Sequence, residues 1–522
     1  MQIVNDKALL VTTAHADKIN LAIEKSRIVK THQNGLQDVL VHWDIENSQR
    51  LRNLGIKNVP STISRDYNWP GLYKPFDHQR KTAEFLTLHK RGFCFNEQGT
   101  SKTASVLWAA DYLMNIGQVG RVLVVCPLSI MKSAWVGDAF KTVMHRNIQV
   151  AHGSREARRK VIEGDAEIVV INFDGIEIIE KEIADGGFDL IVIDEANAYK
   201  TPSTKRWKAM KRLVKNETWL WMLTGTPASQ SPVDAFGLAK LCVPSRVPNF
   251  LGAWRDKVMI KVGMFKYVPS IKSTELVNQA LQPAIRFEKK DCLDLPPVMM
   301  QTRDVPLTKQ QEKYYKALKK QMLVTAAGEE ITAVHAAAAL NKLLQISCGA
   351  VYADSQAVVA FDCSNRISVT MEIIEESSHK VIVFVPFKHA IDIVLEKIRA
   401  AGYSAEKIDG SVPANKRTEI FRRFQEDEDP HVLVIQPQAA AHGVTLTAAN
   451  TIIWFGPTMS VETYLQANER INRPGQQNHM TIIKLVGSPA EQKVYKSLEE
   501  KTQNHESLIS LYNNILEDEE SS

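Results

Sequence analysis

The stretch NEQGTSKTASVLWAA at residues 96–110 joins a polar turn directly to an apolar pattern with helical periodicity. Its turn contains Gly99, Lys102 and Thr103. Such a turn presents backbone N–H groups and a helix N-terminus to phosphate, with the lysine reaching the β- and γ-phosphates and the threonine hydroxyl on Mg²⁺. The full phosphate-loop pattern has glycine where this chain has Asn96 and Ser101, so an ordinary polar helix cap stays open as an alternative.

A second polar group follows an apolar run further along the chain, in DLIVIDEAN at residues 189–197. In a nucleotide hydrolase Asp194 would hold Mg²⁺, usually through water, and Glu195 would polarise the attacking water. An isolated acidic pair at a solvated strand end would look the same. Its position after the phosphate-binding turn favours the nucleotide site.

Short apolar runs form two arrays that are separated by about residues 240–370. The first array comprises residues 121–127, 167–173, 189–195 and 219–225; the second comprises residues 380–386, 431–437, 450–456 and 481–487. Runs of this length that are rich in β-branched residues predict strands buried on both faces, as in parallel sheets. With helical stretches between them, they predict two doubly wound α/β lobes.

Composition excludes several classes of protein. With 44% hydrophobic and 24% charged residues, the chain is not dominated by disorder. The six cysteines include no CxxC pair, which excludes a zinc ribbon or a disulfide scaffold and predicts a reducing, intracellular compartment. No run reaches the roughly 18 apolar residues of a membrane span, so we expect no membrane partner. The net charge of +5 suits a polyanion binder and an ordinary solvated surface about equally.

Two later segments complete the pattern. LTGTP at residues 223–227 ends an apolar run, and QANERINRPGQ at residues 466–476 places Arg470 and Arg473 on one helical face. Their guanidinium groups could meet transition-state charge on a γ-phosphate, although the pair alone would fit an ordinary solvated surface.

In this order the motifs resemble those of superfamily-two helicase-type motors, and within them the Swi/Snf-type ATPases. FDHQR (76–80) is similar to the adenine-reading glutamine motif of such motors. Lys102 and Thr103 match motif I of the family, Asp194 and Glu195 match motif II, and Thr224–Pro227 match motif III. Gln466, Arg470, Arg473 and Gln476 match motif VI. Two stretches, RFEKKDCLDLPP (286–297) and VPLTKQQEKYY (305–315), resemble the Swi/Snf branch in particular. The resemblance implies two RecA-like doubly wound parallel-sheet lobes, a helical insertion between them, a small N-terminal domain, and the use of ATP and Mg²⁺.

The resemblance also implies roles for individual residues. Those implied for ATP binding are Gln79, Gly99, Thr100, Ser101, Lys102, Thr103 and Gln466. Those implied for catalysis are Lys102, Asp194, Glu195, Arg470 and Arg473, with Thr103 and Asp194 holding Mg²⁺ partly through water. Those implied for coupling are Asn197, Thr224, Gly225, Thr226 and Gln476. Those implied for DNA binding are Pro127, Ser129, Asn172, Thr226, Phe384, Gly443 and Thr445.

Three residues depart from the family pattern. Asn197 stands where motif II usually ends in histidine, which would alter the coupling between motifs. Ser101 replaces a glycine, which matters if the turn needs a positive φ there, because a Cβ is costly in that region. Thr445 replaces the family's asparagine in the stretch that matches motif V, AAAHGVTL (439–446).

The predicted domains are an N-terminal accessory domain (1–75), lobe 1 (76–240), a basic helical insertion and link (241–295), lobe 2 with its own helical insertion (296–489), and a C-terminal helix with an acidic tail (490–522). Residues 51–71 resemble the stretch before the motor in relatives that remodel or anneal replication forks. The N-terminal domain would either contact DNA or support lobe 1. For DNA contact, the candidates are Arg50, Arg52, Lys57 and Arg65 on phosphate and Tyr67 and Trp69 as stacking surfaces.

The expected function is an ATP-dependent, DNA-stimulated translocase that moves on duplex DNA and remodels branched or protein-bound DNA. Its expected partner is duplex or branched DNA, and the motor is expected to be monomeric. One alternative is a strand-separating helicase on DNA or RNA. Another is a non-catalytic DNA-binding clamp in which Ser101 and Asn197 mark a decayed ATPase site. The polymer that stimulates ATP turnover would discriminate among them.

Overall fold

The computed structural model describes residues 1–225, 227–228, 231–263, 267–292, 295–328, 333–352, 358–440 and 444–500. The chain divides into two compact units, which within these residues are 1–292 and 295–500. In the described part of the chain, no helix combines the length and the apolar character needed to cross a bilayer. The predicted residue Thr226, the predicted residue Gly443 and the predicted acidic tail lie outside the described residues.

The N-terminal part of the first unit is a small antiparallel sheet with helices. Its elements are β1 (Gln2–Val4), β2 (Ala8–Thr13), α1 (Ala16–Ala22), β3 (Ser26–Thr31), β4 (Gln37–His42), α2 (Ile45–Asn53) and α3 (Ile63–Asp66). The strand order is β1-β2-β4-β3. Alternate residues of β2 and β4, among them Leu9, Val11, Val39 and Val41, are buried in a core of their own, as the period of two in a strand requires.

The connection from this small sheet to the rest of the unit is buried rather than exposed. Ser61 Oγ lies 2.7 Å from Thr87 Oγ1, and Thr62 Oγ1 lies 2.7 Å from the Tyr112 hydroxyl. Both partners belong to helices of the following α/β sheet. The N-terminal sheet is therefore fixed to the first unit along its connecting segment.

The main sheet of the first unit has seven strands. The elements are α4 (Asp77–Leu88), β5 (Arg91–Cys94), α5 (Lys102–Asn115), β6 (Val122–Cys126), α6 (Gly137–Thr142), β7 (Ile148–Ala151), α7 (Arg155–Ile162), β8 (Ile168–Asn172), α8 (Gly175–Ile178), α9 (Glu180–Asp185), β9 (Leu190–Asp194), α10 (Lys205–Leu213), β10 (Trp219–Leu223), α11 (Ala235–Cys242), α12 (Leu251–Val258), β11 (Met259–Lys261), β12 (Tyr267–Pro269), α13 (Ser273–Ala280), β13 (Ala284–Ile285) and α14 (Lys289–Cys292). The strand order is β13-β5-β10-β9-β6-β8-β7, and every pairing is parallel.

The four apolar runs of the first array are strands β6, β8, β9 and β10, and all their residues are buried. Helices cover both faces of this sheet, which produces two separate hydrophobic cores. The prediction of strands buried on both faces is confirmed, because a parallel sheet needs cover on both sides.

The basic stretch after β10 belongs to the first unit. Leu241, Trp254 and Val277 from α11, α12 and α13 are buried in the same core as β9 and β10. The stretch ends in β13, which pairs with β5 at the edge of the seven-stranded sheet. Residues 241–295, which were predicted to form an insertion and link, therefore supply an edge strand to the main sheet of the first unit.

The second unit is built on a six-stranded parallel sheet. Its elements are β14 (Val298–Asp304), α15 (Lys309–Gly328), α16 (Ala333–Ser347), β15 (Ala350–Tyr352), β16 (Val358–Ala360), α17 (Ser364–Glu376), β17 (Lys380–Phe384), α18 (Lys388–Ala400), β18 (Ala405–Ile408), α19 (Ala414–Glu426), β19 (Val432–Ile435), α20 (Pro437–Ala440), β20 (Ala449–Trp454), α21 (Val461–Asn468) and β21 (Met480–Val486), followed by helical residues 489–500. The strand order is β14-β21-β20-β17-β19-β18. Two parallel-sheet α/β units are thus present, as predicted.

A buried ion pair joins the helical residues 489–500 to the rest of the second unit. Arg366 on α17 lies 2.7 Å from Glu491, and the two side chains are 3% and 0% exposed. The Glu491 carboxylate also accepts hydrogen bonds from the Gly487 N–H (2.9 Å) and the Ser488 hydroxyl (3.1 Å). Because both side chains are buried, removing either one would leave the other as an unpaired buried charge, which is strongly destabilising.

Candidate active site

The predicted nucleotide-binding residues of the first unit lie at the carboxyl ends of three neighbouring strands. The turn with Lys102 follows β5, Thr224 and Gly225 follow β10, and Asp194 ends β9. Strand β10 lies between β5 and β9 in the sheet. This edge is where ligands bind in open α/β sheets.

The predicted phosphate loop, residues 96–101 and called the phosphate loop below, turns through left-handed backbone conformations at two residues. Gly99 has φ = +86°, and Ser101, just before α5, has φ = +55°. The turn therefore does need a positive φ at position 101, and the serine adopts it at a cost of about 1–2 kcal/mol. Helix α5 then begins at Lys102 and runs for 14 residues, so its first N–H groups and its dipole face the loop. This geometry fits phosphate.

Lys102 already points into the loop. Its Nζ donates to the carbonyl oxygens of Asn96 (2.8 Å) and Glu97 (3.1 Å). These carbonyls hold the ammonium where a phosphate oxygen could replace them. Thr103, the next residue, lies half-buried in the first turn of α5.

Asn96 explains one departure from the phosphate-loop pattern. Its side chain is wholly buried, donates to Thr82 Oγ1 on α4 (2.8 Å) and accepts from the Phe287 N–H (3.0 Å). The asparagine therefore fastens the loop on two sides, a role that a glycine could not supply. Sequence reasoning treated Asn96 as a weakness of the motif and missed this function.

Asp194 is a buried carboxylate with two hydrogen-bond donors. Its Oδ2 accepts from Trp135 Nε1 (3.0 Å), and its Oδ1 accepts from the Glu195 N–H (2.9 Å). Burial raises the pKa of Asp194, while the Lys102 ammonium and the Trp135 N–H act in the opposite direction. Lys102 follows β5 and Asp194 ends β9, with only β10 between these strands, so the fold brings motifs I and II to the same edge of the sheet.

Trp135 was not predicted. It belongs to a single π-helical turn, Met131–Val136, that follows β6, and its side chain is fully buried. Such turns occur frequently at functional sites. In the sequence it looks like an ordinary core tryptophan in WVGDAF, so no local signal marks it.

Glu195 and Asn197 follow Asp194 in a strained turn. Glu195 has φ = +51° and ψ = +54°, a conformation that non-glycine residues rarely adopt, and it leads into the short 3₁₀ turn Ala196–Tyr199. Asn197 is buried within that turn.

Motif III packs directly on the phosphate loop. The Thr224 N–H donates to the Cys94 carbonyl at the end of β5 (3.1 Å). A Cβ at Gly225 would lie 3.2 Å from Gln98 Cγ, so the loop and this segment are in close contact. The backbone neighbours, Gln98 N and Asn96 O, would lie at the ordinary contact distances of 3.4 and 3.6 Å, so a side chain at position 225 would mainly require the Gln98 side chain to shift.

The glutamine motif lies against the same loop. Gln79 is buried near the start of α4, where its Oε1 accepts from the Phe76 N–H (2.8 Å). The neighbouring His78 donates from Nε2 to the Thr100 carbonyl (3.1 Å), and burial lowers its pKa. This places Gln79 beside the loop, and adenine reading stays a prediction.

Three residues predicted to contact DNA lie at the same edge of the first sheet, at the ends of strands further from β5. Pro127 follows β6, Asn172 ends β8, and Ser129 lies in the 3₁₀ turn Leu128–Ile130. The Asn172 side-chain oxygen accepts from the buried Arg158 Nη1 (2.9 Å).

The two aromatic residues suggested as stacking surfaces, Tyr67 and Trp69, pack within the first unit. Tyr67 is 7% exposed, and its hydroxyl donates to Asp111 on α5 (2.5 Å). Trp69 is half-buried and packs edge-on against Trp108 at 5.8 Å. Of the two alternatives, the structure has these aromatic residues supporting the first unit, so the interpretation of Tyr67 as a stacking surface was wrong.

The basic candidates there are also largely used within the unit. Arg65 lies over the Trp43 ring at 4.6 Å and donates to the Trp43 and Asp6 carbonyls. Arg52 donates to the Leu88 carbonyl, and burial lowers its pKa to about 10. Arg50 is exposed and forms an ion pair with Glu46 at 3.6 Å.

In the second unit, the two predicted catalytic arginines differ in exposure. Arg470 is 1% exposed, and its guanidinium donates to the Gln466 (2.6 Å) and Val444 (3.1 Å) carbonyls. Arg473 is half-buried and donates to Thr445 Oγ1 (3.1 Å). Arg470 therefore holds the backbone of motif V, and Arg473 is the more accessible of the two arginines. The catalytic role of both stays a prediction.

The other predicted residues of the second unit are mostly buried. Gln476 donates to the Thr447, Ala449 and Ile471 carbonyls, so it ties the residues just after motif V to motif VI. Phe384 is fully buried beside Trp454, with ring centroids 4.9 Å apart. The side chain fills the core of the unit, so only the backbone of Phe384 is left for the predicted contact with DNA, and that contact stays a prediction.

The donor set suits magnesium held together with a nucleotide. Within the part of the chain that the structure describes, no three His, Cys, Asp or Glu side chains are grouped to hold a metal by themselves. Mg²⁺ usually binds through one or two carboxylates, substrate phosphates and water. Asp194 and the Thr103 hydroxyl beside the phosphate loop fit that description.

Comparison with known families agrees with this geometry. The profile of the SNF2-related domain matches residues 37–348, and that of the helicase conserved C-terminal domain matches residues 365–475. The chain belongs to the SNF2-related family. This confirms the resemblance that the motifs carry.

Individual relatives are distant. An uncharacterized ATP-dependent helicase of Mycoplasma genitalium is 26% identical over 407 residues, covering 76% of this chain and 38% of the relative. Protein p41 of Acyrthosiphon pisum secondary endosymbiont phage 1 is 26% identical over 428 residues, covering 78% of this chain and 91% of the relative. The SNF2-related chain thus spans about two fifths of the mycoplasma relative's length.

A similar solved structure is that of the Sulfolobus solfataricus SWI2/SNF2 ATPase core in complex with dsDNA. It is 23% identical, with a TM-score of 0.42, and covers 85% of this chain and 94% of that chain.

Proposed function

We propose that this chain is an ATP-dependent, DNA-stimulated translocase on duplex DNA that remodels branched or protein-bound DNA inside the cell. The observation that carries the proposal is the meeting of Lys102, Asp194 and Glu195 at one edge of the first parallel sheet. Membership of the SNF2-related family supports it, because the second matched domain is a helicase domain.

In this proposal the nucleotide is held by the first unit. Lys102 exchanges the Asn96 and Glu97 carbonyls for β- and γ-phosphate oxygens, and the first N–H groups of α5 donate to the same phosphates. Thr103 and Asp194 would hold Mg²⁺, which supplies charge neutralisation on the phosphates.

Hydrolysis then depends on Glu195 and Arg473. Glu195 orients the attacking water, and the strained turn in which it lies fixes its direction. Arg473, the accessible arginine of motif VI, supplies positive charge to the γ-phosphate in the transition state. Because these groups belong to different units, DNA that engages both would assemble the site.

The loop geometry favours an active site over a decayed one. Ser101 adopts the left-handed conformation that the turn requires, and Asn96 adds two hydrogen bonds that fasten the loop. Neither Ser101 nor Asn96 removes a group that binds phosphate, and Asn197, the other proposed mark of decay, is buried in the 3₁₀ turn after Glu195. A non-catalytic clamp would not need Lys102 and Asp194 at the same edge of the sheet.

Duplex DNA is the proposed polymer. Pro127 and Asn172 lie at the sheet edge that also carries the nucleotide loops, where small polar groups suit phosphate contacts. Phosphate contacts carry no sequence information, so binding should depend strongly on salt and little on base sequence.

The test is ATP turnover measured side by side with duplex DNA, single-stranded DNA, forked DNA and RNA. We expect duplex DNA to raise the rate by about tenfold or more, because the polymer assembles a divided site. A triplex-displacement assay on duplex DNA then reports movement. Equal rates with and without nucleic acid would overturn the proposal, and stimulation by single strands alone would identify a strand-separating helicase instead.

A further inference from the structure

The segment 283–289 runs beside the phosphate loop rather than only beside the sheet. The N–H groups of Phe93, Phe95 and Glu97 donate in turn to the carbonyls of Pro283 (3.0 Å), Ile285 (2.8 Å) and Phe287 (3.0 Å). The ladder that begins with β13 and β5 therefore continues past the end of β5 into the loop.

Arg286 is the buried centre of this contact. It is 3% exposed, and its Nη1 donates to the Phe95 carbonyl (2.8 Å) while its Nη2 lies 3.1 Å from Glu97 Oε1. The same Nη1 lies 3.5 Å from the Gly225 carbonyl of motif III. One guanidinium thus touches the end of β5, the phosphate loop and the segment after β10.

Two loop side chains also hold the backbone of the segment. Asn96 Oδ1 accepts from the Phe287 N–H (3.0 Å), and Glu97 Oε2 accepts from the Lys289 N–H (2.8 Å). Asn96 and Glu97 are also the residues whose carbonyls hold Lys102 Nζ. A phosphate that draws Lys102 away from those carbonyls acts directly on the residues that grip the segment.

The segment leads out of the first unit, which ends at Cys292. We infer that Arg286 is a positioning residue that couples the nucleotide state of the phosphate loop, through Glu97, to residues 284–292. This inference rests on the proposed function, because it assumes that the loop binds a nucleotide. Separating the buried Arg286 guanidinium from the Glu97 carboxylate would leave an unpaired buried charge at a high cost in free energy. The phosphate loop and residues 284–292 must therefore move together.

Amide hydrogen exchange tests the coupling without measuring catalysis. On the full chain, with Mg–ADP as the probe, we expect exchange at the Phe287 and Lys289 amides to change by about fivefold or more on binding. Arg286→Lys keeps the charge but cannot reach the Phe95 carbonyl and Glu97 together, so the change at these amides should largely disappear. Mg–ADP affinity should stay within about twofold of wild type, since Arg286 does not bind phosphate.

The matched control is a second glutamate in the same unit. Glu167 accepts from Arg146 Nη1 (2.6 Å) and from the Asn147 N–H (2.9 Å), which repeats the pattern of Glu97 with an arginine and a backbone N–H. The two carboxylate side chains are 34% and 35% exposed. Glu97→Gln should weaken the nucleotide-dependent change at residue 289, whereas Glu167→Gln should leave it intact.

ATP turnover gives the second readout. Arg286→Lys should lower the DNA-stimulated rate by about tenfold, within the usual range of coupling between sites, and leave the rate without DNA close to wild type. If wild type binds Mg–ADP and the exchange of residues 286–289 does not respond, the inference is wrong although the proposed function stands. If Arg286→Lys behaves like Glu167→Gln in both readouts, the inference is equally overturned. A wild-type chain that neither binds nor hydrolyses nucleotide overturns both.

Discussion

Replacing Trp135 with phenylalanine tests how the fold prepares Asp194 for magnesium. The tryptophan is fully buried and its Nε1 donates to Asp194 Oδ2 at 3.0 Å. Phenylalanine keeps an aromatic ring at the site and removes this donor. The carboxylate would then lie in the same buried position with less stabilisation of its charged form, which is the form that binds the ion.

The size of the effect follows from that hydrogen bond. A hydrogen bond to a charged group contributes about 1.5–3 kcal/mol. Groups that orient a metal-binding side chain typically contribute about 10–100-fold to metal affinity or activity. We therefore expect Trp135→Phe to raise the Mg²⁺ concentration for half-maximal nucleotide binding by about 10–100-fold. The loss should fall mainly on magnesium dependence, because Lys102 and the loop are untouched.

The assay is a titration of Mg²⁺ against binding of a fluorescent ADP analogue, with DNA-stimulated turnover measured over the same range. Trp221→Phe is the matched control, because Trp221 is also fully buried in the first unit and its Nε1 donates to the His89 carbonyl at 2.9 Å. Thermal unfolding of both variants reports general damage. Equal magnesium midpoints in the two variants would refute the reasoning.

Three further outcomes are expected. Glu195→Gln should bind ATP normally and lose about 10²–10⁴-fold in turnover, measured by single-turnover hydrolysis, since it loses the group that orients water; a normal rate would show that motif II is misassigned. Arg473→Ala should lower DNA-stimulated turnover by about 10³–10⁵-fold with unchanged nucleotide affinity, measured on one sample; a near-normal rate would remove Arg473 from the site. Glu491→Ala should lower the free energy of unfolding of the second unit by about 3–5 kcal/mol in urea titrations, because it leaves Arg366 charged and buried; a loss below about 1 kcal/mol would mean that water reaches the pair.

The parallel sheets could be predicted because their central strands are continuous apolar runs. Strands β6, β8, β9 and β10 coincide with such runs and are buried throughout. The edge strand β13 has only two residues, and it lies in a stretch that reads as a basic link. Its place is decided by its pairing with β5, a contact between distant parts of the chain that no local pattern reports.

The site could be predicted where motifs carry the chemistry and could not where burial decides it. Lys102 and Asp194 lie at the same edge of the first sheet, as their motifs imply. The burial of the Arg470 and Phe384 side chains was not predicted, because a motif fixes residue identity and not exposure. The role of Trp135 depends on a hydrogen bond across the fold, which the sequence does not encode locally.

The buried connection between the N-terminal sheet and the seven-stranded sheet has a mechanical consequence. A flexible tether would let the small sheet search a large volume, and its effective concentration at any second site would fall as the tether lengthened. Here Ser61 and Thr62 are hydrogen-bonded to α4 and α5, so the connecting segment does not act as a flexible tether. A ligand bound to the small sheet would therefore be held at a fixed distance from the phosphate loop.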